Sequence, residues 1–191
     1  LELARDVAAE HRPPDPATRI LLGVVSRPLL RRVCLAVGRV GRAATVARTV
    51  RDVTELLAAA GPRSGAPVEC RVAYDHPCHL LHAQRVERAP LDVLAAVPGV
   101  SVTVVDDAAE CCGGAGIYGL THPDLGGRIG RDKVAAVRRA GCDVAATPNP
   151  GCMMQIGGGL RLEGAPEGVV HPVELLDESY RRAGLYRGGA S

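Results

Sequence analysis

Four cysteines, Cys78, the adjacent Cys111 and Cys112, and Cys152, each follow a β-like run, within Y-D-H-P-C-H-L, E-C-C-G-G-A-G and N-P-G-C-M-M-Q. Thiols recurring at equivalent places predict a shared site with redox or metal chemistry. Adjacent thiolates fit one tetrahedral zinc poorly, whereas a multi-iron cluster offers each sulfur its own iron. Gly113, Gly114 and Gly116 allow backbone angles closed to other residues, so the chain can approach a bulky inorganic group and leave amides free to donate to sulfur. Against this stands the plain reading of cysteine as a small buried hydrophobe, which weakens when four of them recur in the same setting.

The remaining cysteines read differently. Cys34 sits in an apolar helical run, Cys70 begins a strand and Cys142 follows a helix-ending glycine, so all three are expected to be packed. His76 and His79 flank Cys78 and either ligate a metal, hydrogen-bond a sulfur or cap the turn, and His82 shares the helix face of His79. His122 and His171 read as turn and core residues. Asp75 and Glu110 precede cysteines and read as solvent-facing or capping carboxylates. No Ser-His-Asp order, phosphate-binding glycine loop or paired-carboxylate pattern stands out.

These side chains need a scaffold, and the pattern after residue 67 supplies one. Strands are expected at Cys70 to Tyr74, Val100 to Val105, Asp143 to Thr147 and Val169-Val170. Helices are expected over 79–88, 90–97, 123–140, 151–160 and 172–183, with Pro172 in a first turn. Strand–helix alternation predicts an α/β domain, a small parallel sheet with flanking helices. In an open α/β sheet ligands gather outside the carboxyl ends of the strands, where Cys78, Cys111, Cys112 and Cys152 all fall. Cys78 and Cys152 also stand near helix N-termini, which favour the thiolate.

The front of the chain is of another kind. Residues 1–60 read as a helical, Arg-rich connector, 61–67 as a linker and 68–191 as the cysteine-bearing domain. From Ala17 to Arg51 there are eight Arg and no acid, a basic amphipathic stretch suited to an acidic partner or an anionic membrane, or else a solvated helix face. At 191 residues and 47% hydrophobic content the chain holds one ordinary domain with an appendage, not two full domains. Four Tyr with no Phe or Trp leave an aliphatic core and disfavour base stacking, so no nucleic-acid partner is expected. Of 23 basic residues only Lys133 is not Arg, and the net charge is +2. An odd count of seven cysteines, the C-C-G grouping and the lack of a secretory-type apolar stretch predict a reducing, cytoplasmic setting, peripheral at most on the inner face of a membrane. Ile20 to Ser26 and Val33 to Gly38 fall far short of the roughly 20 residues a spanning helix needs.

Y-D-H-P-C-H-L-L-H-A-Q, E-C-C-G-G-A-G-I-Y, T-P-N-P-G-C-M-M-Q and V-H-P-V-E-L-L-D-E-S-Y together resemble the C-terminal cysteine-rich CCG domain of glycolate oxidase iron–sulfur subunits, over about residues 68–183. Related domains occur in lactate-utilisation proteins and heterodisulfide reductase. The resemblance implies an iron–sulfur cluster, 4Fe-4S in type, on Cys78, Cys111, Cys112 and Cys152. It also implies an electron-carrying subunit served by a flavin-containing dehydrogenase subunit that oxidises glycolate, with electrons passing on toward a membrane acceptor. In heterodisulfide reductase the pattern ends in C-x-x-C; here it reads Cys152-Met153-Met154-Gln155, which leaves four thiolates and an incomplete ligand set. The family's ferredoxin-like segment and first CCG domain have no counterpart here, so a shortened copy is expected. A zinc-binding or thiol-redox module, and a scaffold that only docks the flavin subunit, remain as alternatives.

Overall fold

The computed structural model describes residues 49–188; the helix expected over 1–12, Cys34 and the Arg-rich stretch up to residue 48 lie outside them. The chain divides into two units, Leu1–Arg51 and Asp52–Ser191, and all the elements below belong to the second. Its first helix, α1 (Val53–Ala60), begins where the Asp52 carboxylate accepts from the Thr54 N–H and Glu55 accepts from the Asp52 N–H. This reciprocal cap satisfies donors that a helix start leaves open. Residues 61–67 are fastened to the end of the domain: Ser179 Oγ donates to the Ala66 carbonyl at 2.7 Å, and the Ala66 N–H donates to the Ser179 carbonyl at 3.1 Å.

Four strands, β1 (Cys70–Tyr74), β2 (Val100–Val104), β3 (Val144–Ala146) and β4 (Gly168–Val170), form one parallel sheet in the order β2-β1-β3-β4. This is the α/β arrangement that the alternation predicts. Around the sheet stand α2 (Arg88–Ala95), α3 (Ile117–Thr121), α4 (Pro123–Arg139), α5 (Pro150–Leu162) and α6 (Pro172–Arg182). Proline opens α4, α5 and α6, where its missing N–H costs nothing. Asn149 caps α5, and His171 caps α6 by accepting from the Val173 N–H through Nδ1.

Two elements depart from expectation. The stretch expected as a helix over 79–88 is a single π-helical turn, His79–Gln84, closed by Arg85 at φ +60. There the Leu80 carbonyl accepts from both the Arg85 and Val86 N–H groups, so the chain turns away before an α-helix can propagate. Helix α3 had no periodic signal because it is five residues long and mostly exposed.

The sheet separates two aliphatic cores. One face carries Ala73 and Ala145 against Val134, Val137, Ile156 and Leu160 of α4 and α5. The other carries Val72, Tyr74 and Ala146 against Val93, Leu94, Leu175 and Leu176 of α2 and α6. Cys112 and Cys152 belong to the first core, so the sheet face that packs α4 and α5 is also the face that leads to the thiols. Among the described residues, no helix is long and apolar enough to cross a membrane.

Candidate functional site

Each thiol is delivered by a connection that leaves the carboxyl edge of the sheet. Cys78 follows β1, Cys111 and Cys112 follow β2, and Cys152 lies in the first turn of α5 after β3. Asn149 sets the last of these by accepting the Cys152 N–H on Oδ1 at 3.1 Å. The Cys111–Gly114 loop is pressed against α3 and α4. Gly113 adopts φ +83, and a Cβ there would run into the Gly126 carbonyl and stand 2.9 Å from the Gly130 nitrogen. No residue but glycine satisfies both the dihedral and the approach.

Two of the four sulfurs meet directly. Cys112 Sγ and Cys152 Sγ are 3.0 Å apart and both are buried. The Cys78 thiol is pushed up first by burial and then by the charge of Cys111. The thiols are coupled, since Cys112 also raises Cys78, and Cys78 raises Cys152. Cys111 Sγ accepts the Gly113 N–H at 3.3 Å. Among the described residues, no three or more His, Cys, Asp or Glu side chains close around a single ion position.

The proton of the buried pair belongs on Cys152. The hydrogen bond with Cys152 pulls Cys112 down to about 6 against the opposing effect of burial, with help from the Gly114 amide, its own amide and the positive charge of Lys133. Cys152 is driven up by the same hydrogen bond, by burial and by the Cys112 and Asp75 charges. A thiolate beside a thiol is the form in which cysteine acts as nucleophile or ligand.

Beneath the pair lies an ion triad. Lys133 Nζ stands 2.8 Å from Asp75 Oδ1 and 3.1 Å from Asp107 Oδ1, and it donates to the Asp107 carbonyl. Asp75, expected to face solvent or cap a turn, is instead 1% exposed. Burial pushes its carboxyl up to about 7, against the pull of Lys133. The signal that could have found this pair was the single Lys of an Arg-rich chain, spaced with Gly126, Gly130, Val134 and Val137 along the inner face of α4.

The histidines have separate tasks. Asn149 Nδ2 donates to His79 Nε2, which ties the π-turn after Cys78 to the cap of the Cys152 helix. His82 Nε2 donates to the Ala109 carbonyl at 2.9 Å, just before the Cys111–Cys112 loop. His76 turns edge-on to Tyr74 on the opposite face of the sheet, and burial lowers its pKa. Cys70 and Cys142 stay away from the four thiols, beside the Arg71–Asp143 pair at the other end of β1. A cavity of about 330 Å³ opens beside the site, between the glycines of α4 and α5 and next to Gln155 and Met154.

The fold and site define a small parallel α/β domain whose strand ends carry four thiols, one of them, Cys112, lowered toward the thiolate form. Residues 72–157 match the model of the CCG family, described as a cysteine-rich domain, and this stretch of the chain is a domain of that kind. The chain is 33% identical over 115 residues to a subunit of the fumarate reductase (CoM/CoB) of Methanothermobacter marburgensis, covering 60% of this chain and 24% of that protein. It is 29% identical over 119 residues to lactate utilization protein A of an Exiguobacterium species, covering 62% and 49%. To the probable glycolate oxidase iron-sulfur subunit of Bacillus subtilis it is 33% identical over 113 residues, covering 59% and 25%. The matched region thus spans between about a quarter and a half of these relatives.

Proposed function

We propose that the chain is the cysteine-rich part of an iron–sulfur electron-transfer subunit in an oxidoreductase complex. In this reading Cys78, Cys111, Cys112 and Cys152 are the metal ligands, and Gly113 and Gly114 line the group they hold. The observation that carries it is the 3.0 Å approach of Cys112 to Cys152, with Cys78 and Cys111 on the neighbouring connections at the same strand ends. Two sulfurs bound at about 2.3 Å to one tetrahedral ion sit about 3.8 Å apart, so the 3.0 Å pair must open to bind metal, and several irons would give each thiolate its own. Such a cluster, of 4Fe-4S type, supplies one-electron storage when bound. The name of the Bacillus relative supports glycolate as the electron source, and the sequence resemblance implies a flavin-containing dehydrogenase subunit that delivers the electrons. Residues 1–60 would dock that subunit or a peripheral membrane surface, with 68–191 holding the thiols.

Anaerobic reconstitution of the full chain with iron and sulfide tests the reading. Stoichiometric iron and sulfide with visible charge-transfer absorption, lost in Cys112→Ala, is the expected result. Zinc binding with no iron uptake would refute it. The 3.0 Å thiolate–thiol contact also favours a second reading, a thiol-redox module in which Cys112 and Cys152 join as a disulfide, giving up the one proton on Cys152 and passing two electrons to an external oxidant.

A further inference from the structure

The backbone beyond the last ladder rung of β1 and β3 decides which side chains look toward the thiols. Tyr74 is in register with Ala146, and the next N–H of each strand stays in the ladder: Asp75 donates to the Ala146 carbonyl at 3.0 Å, and Thr147 to the Val170 carbonyl at 3.2 Å. Asp75 and Thr147 are therefore still extended and side by side. Successive side chains of a strand alternate between faces. Ala73 and Ala145 face the core that contains Cys112 and Cys152, and Tyr74 and Ala146 face the other. Asp75 and Thr147 return to the thiol face, which for Asp75 the 2.8 Å approach of Lys133 from α4 bears out.

Thr147 is 0% exposed, and its Oγ1 has no hydrogen-bond partner within the described protein. A buried hydroxyl without a partner is a net cost to folding that a valine of the same shape would not carry. The remaining unanswered atoms of this edge are placed differently. Tyr74 Oη and His76 Nδ1 lie on the opposite face, while Asp75 Oδ1 and Asp107 Oδ1 stand at ion-pair distance from Lys133. Thr147 is left with a free donor on the face that leads to the sulfurs. From its Cα the chain passes through the Asn149 cap straight to Cys152.

We propose that Thr147 is a positioning residue for the group held by Cys78, Cys111, Cys112 and Cys152, and that its hydroxyl donates a hydrogen bond to a sulfur of that group. The proposal rests on the iron–sulfur reading above. Sulfur carrying negative charge accepts, a hydroxyl donates, and a donor at that place stabilises the more negative, reduced state. Thr147 would thereby raise the potential at which the site takes up an electron.

The test uses the full chain as Thr147→Val, Thr147→Ala and Thr147→Ser, each measured metal-free and after anaerobic loading with iron and sulfide. In the loaded protein the Val and Ala variants should take up the electron about tenfold less favourably, a fall in midpoint potential of about 59 mV for one electron, and Ser should restore it. In the metal-free protein Thr147→Val should unfold at a temperature no lower than the wild type. A loaded Thr147→Val whose midpoint does not move overturns this inference and leaves the iron–sulfur reading standing. A metal-free Thr147→Val that unfolds earlier than wild type overturns it as well, because the hydroxyl would then already have a partner. A wild-type chain that takes up no iron overturns both.

Discussion

Replacing Lys133 with Met removes the cation that two carboxylates share under the thiols. Lys133 Nζ lies 2.8 Å from Asp75 Oδ1 and 3.1 Å from Asp107 Oδ1, and the side chains of Lys133 and Asp75 are buried. Taking one partner from a buried ion pair costs about 3–5 kcal/mol, because the remaining charge has lost its compensation. Asp107 is 26% exposed and can turn to water, so the loss falls on Asp75. The dependence on pH identifies the cause. Burial raises Asp75 from 3.8 to about 7 in the folded chain. A carboxyl raised in this way favours folding fully below its unfolded value, and that advantage is lost at about 1.4 kcal/mol per pH unit until its folded value is passed. In the wild type the loss is complete near pH 7, and above that Asp75 adds no further slope. Without Lys133 the folded value climbs higher, so the variant goes on losing about 1.4 kcal/mol for each pH unit above 7. Lys133 itself is raised above 10.5, so its contribution in the wild type stays intact across this range. Urea unfolding of the metal-free proteins, followed by circular dichroism since the chain has no Trp, should show a stability gap that widens from about pH 7 to about pH 9. Adding Asp75→Leu to Lys133→Met should recover much of the loss. A gap that stays constant with pH, or that is smaller than about 1 kcal/mol, would sink the reasoning.

Neighbouring glycines of α5 should respond in opposite directions. A Cβ at Gly158 meets open space, so Gly158→Ala should stabilise the helix by about 1 kcal/mol, whereas a Cβ at Gly159 would stand 2.6 Å from Val134 Cγ2 and Gly159→Ala should lower the melting temperature. Gly113→Ala, which combines φ +83 with the clash on Gly126, should cost at least about 1–3 kcal/mol and expose Cys111 and Cys112 to a thiol reagent; unchanged reactivity would contradict the packing described for that loop. Cys152→Ala should let Cys112 rise from about 6 toward the ordinary thiol value of 9.0, moving up the pH midpoint of its alkylation by iodoacetamide as read by peptide mass mapping; a midpoint that stays near 6 would place the pull elsewhere.

What the sequence made legible follows from the range over which each signal acts. β-branched runs such as Val100 to Val104 and the proline starts of α4 and α6 are local, and these elements form where expected. The approach of Cys112 to Cys152 was readable because topology alone puts the loops after β2 and β3 at one edge. The turn at His79–Gln84 was misread as an α-helix because its closing hydrogen bonds depend on a left-handed Arg85, which no propensity announces. The ion triad was missed for a different reason. Asp75, Asp107 and Lys133 are brought together only by the packing of α4 on the sheet, and a lone carboxylate before a cysteine carries no sign of that.

The choice of lysine at this place has its own physical logic. The chain uses Arg at every other basic position, and Arg is the better partner for exposed or bidentate carboxylates. Inside the domain the cation must answer three oxygens arranged around a point: Asp75 Oδ1, Asp107 Oδ1 and the Asp107 carbonyl. A compact ammonium donates to the carbonyl and keeps both carboxylate oxygens at ion-pair distance, while a planar guanidinium would need more room and a flatter set of acceptors. The same ammonium lowers Cys112 through its charge. One buried side chain thus joins the loops after β1 and β2 and also helps keep a thiolate in an aliphatic core. That is why the domain tolerates so polar a group beside an aliphatic core.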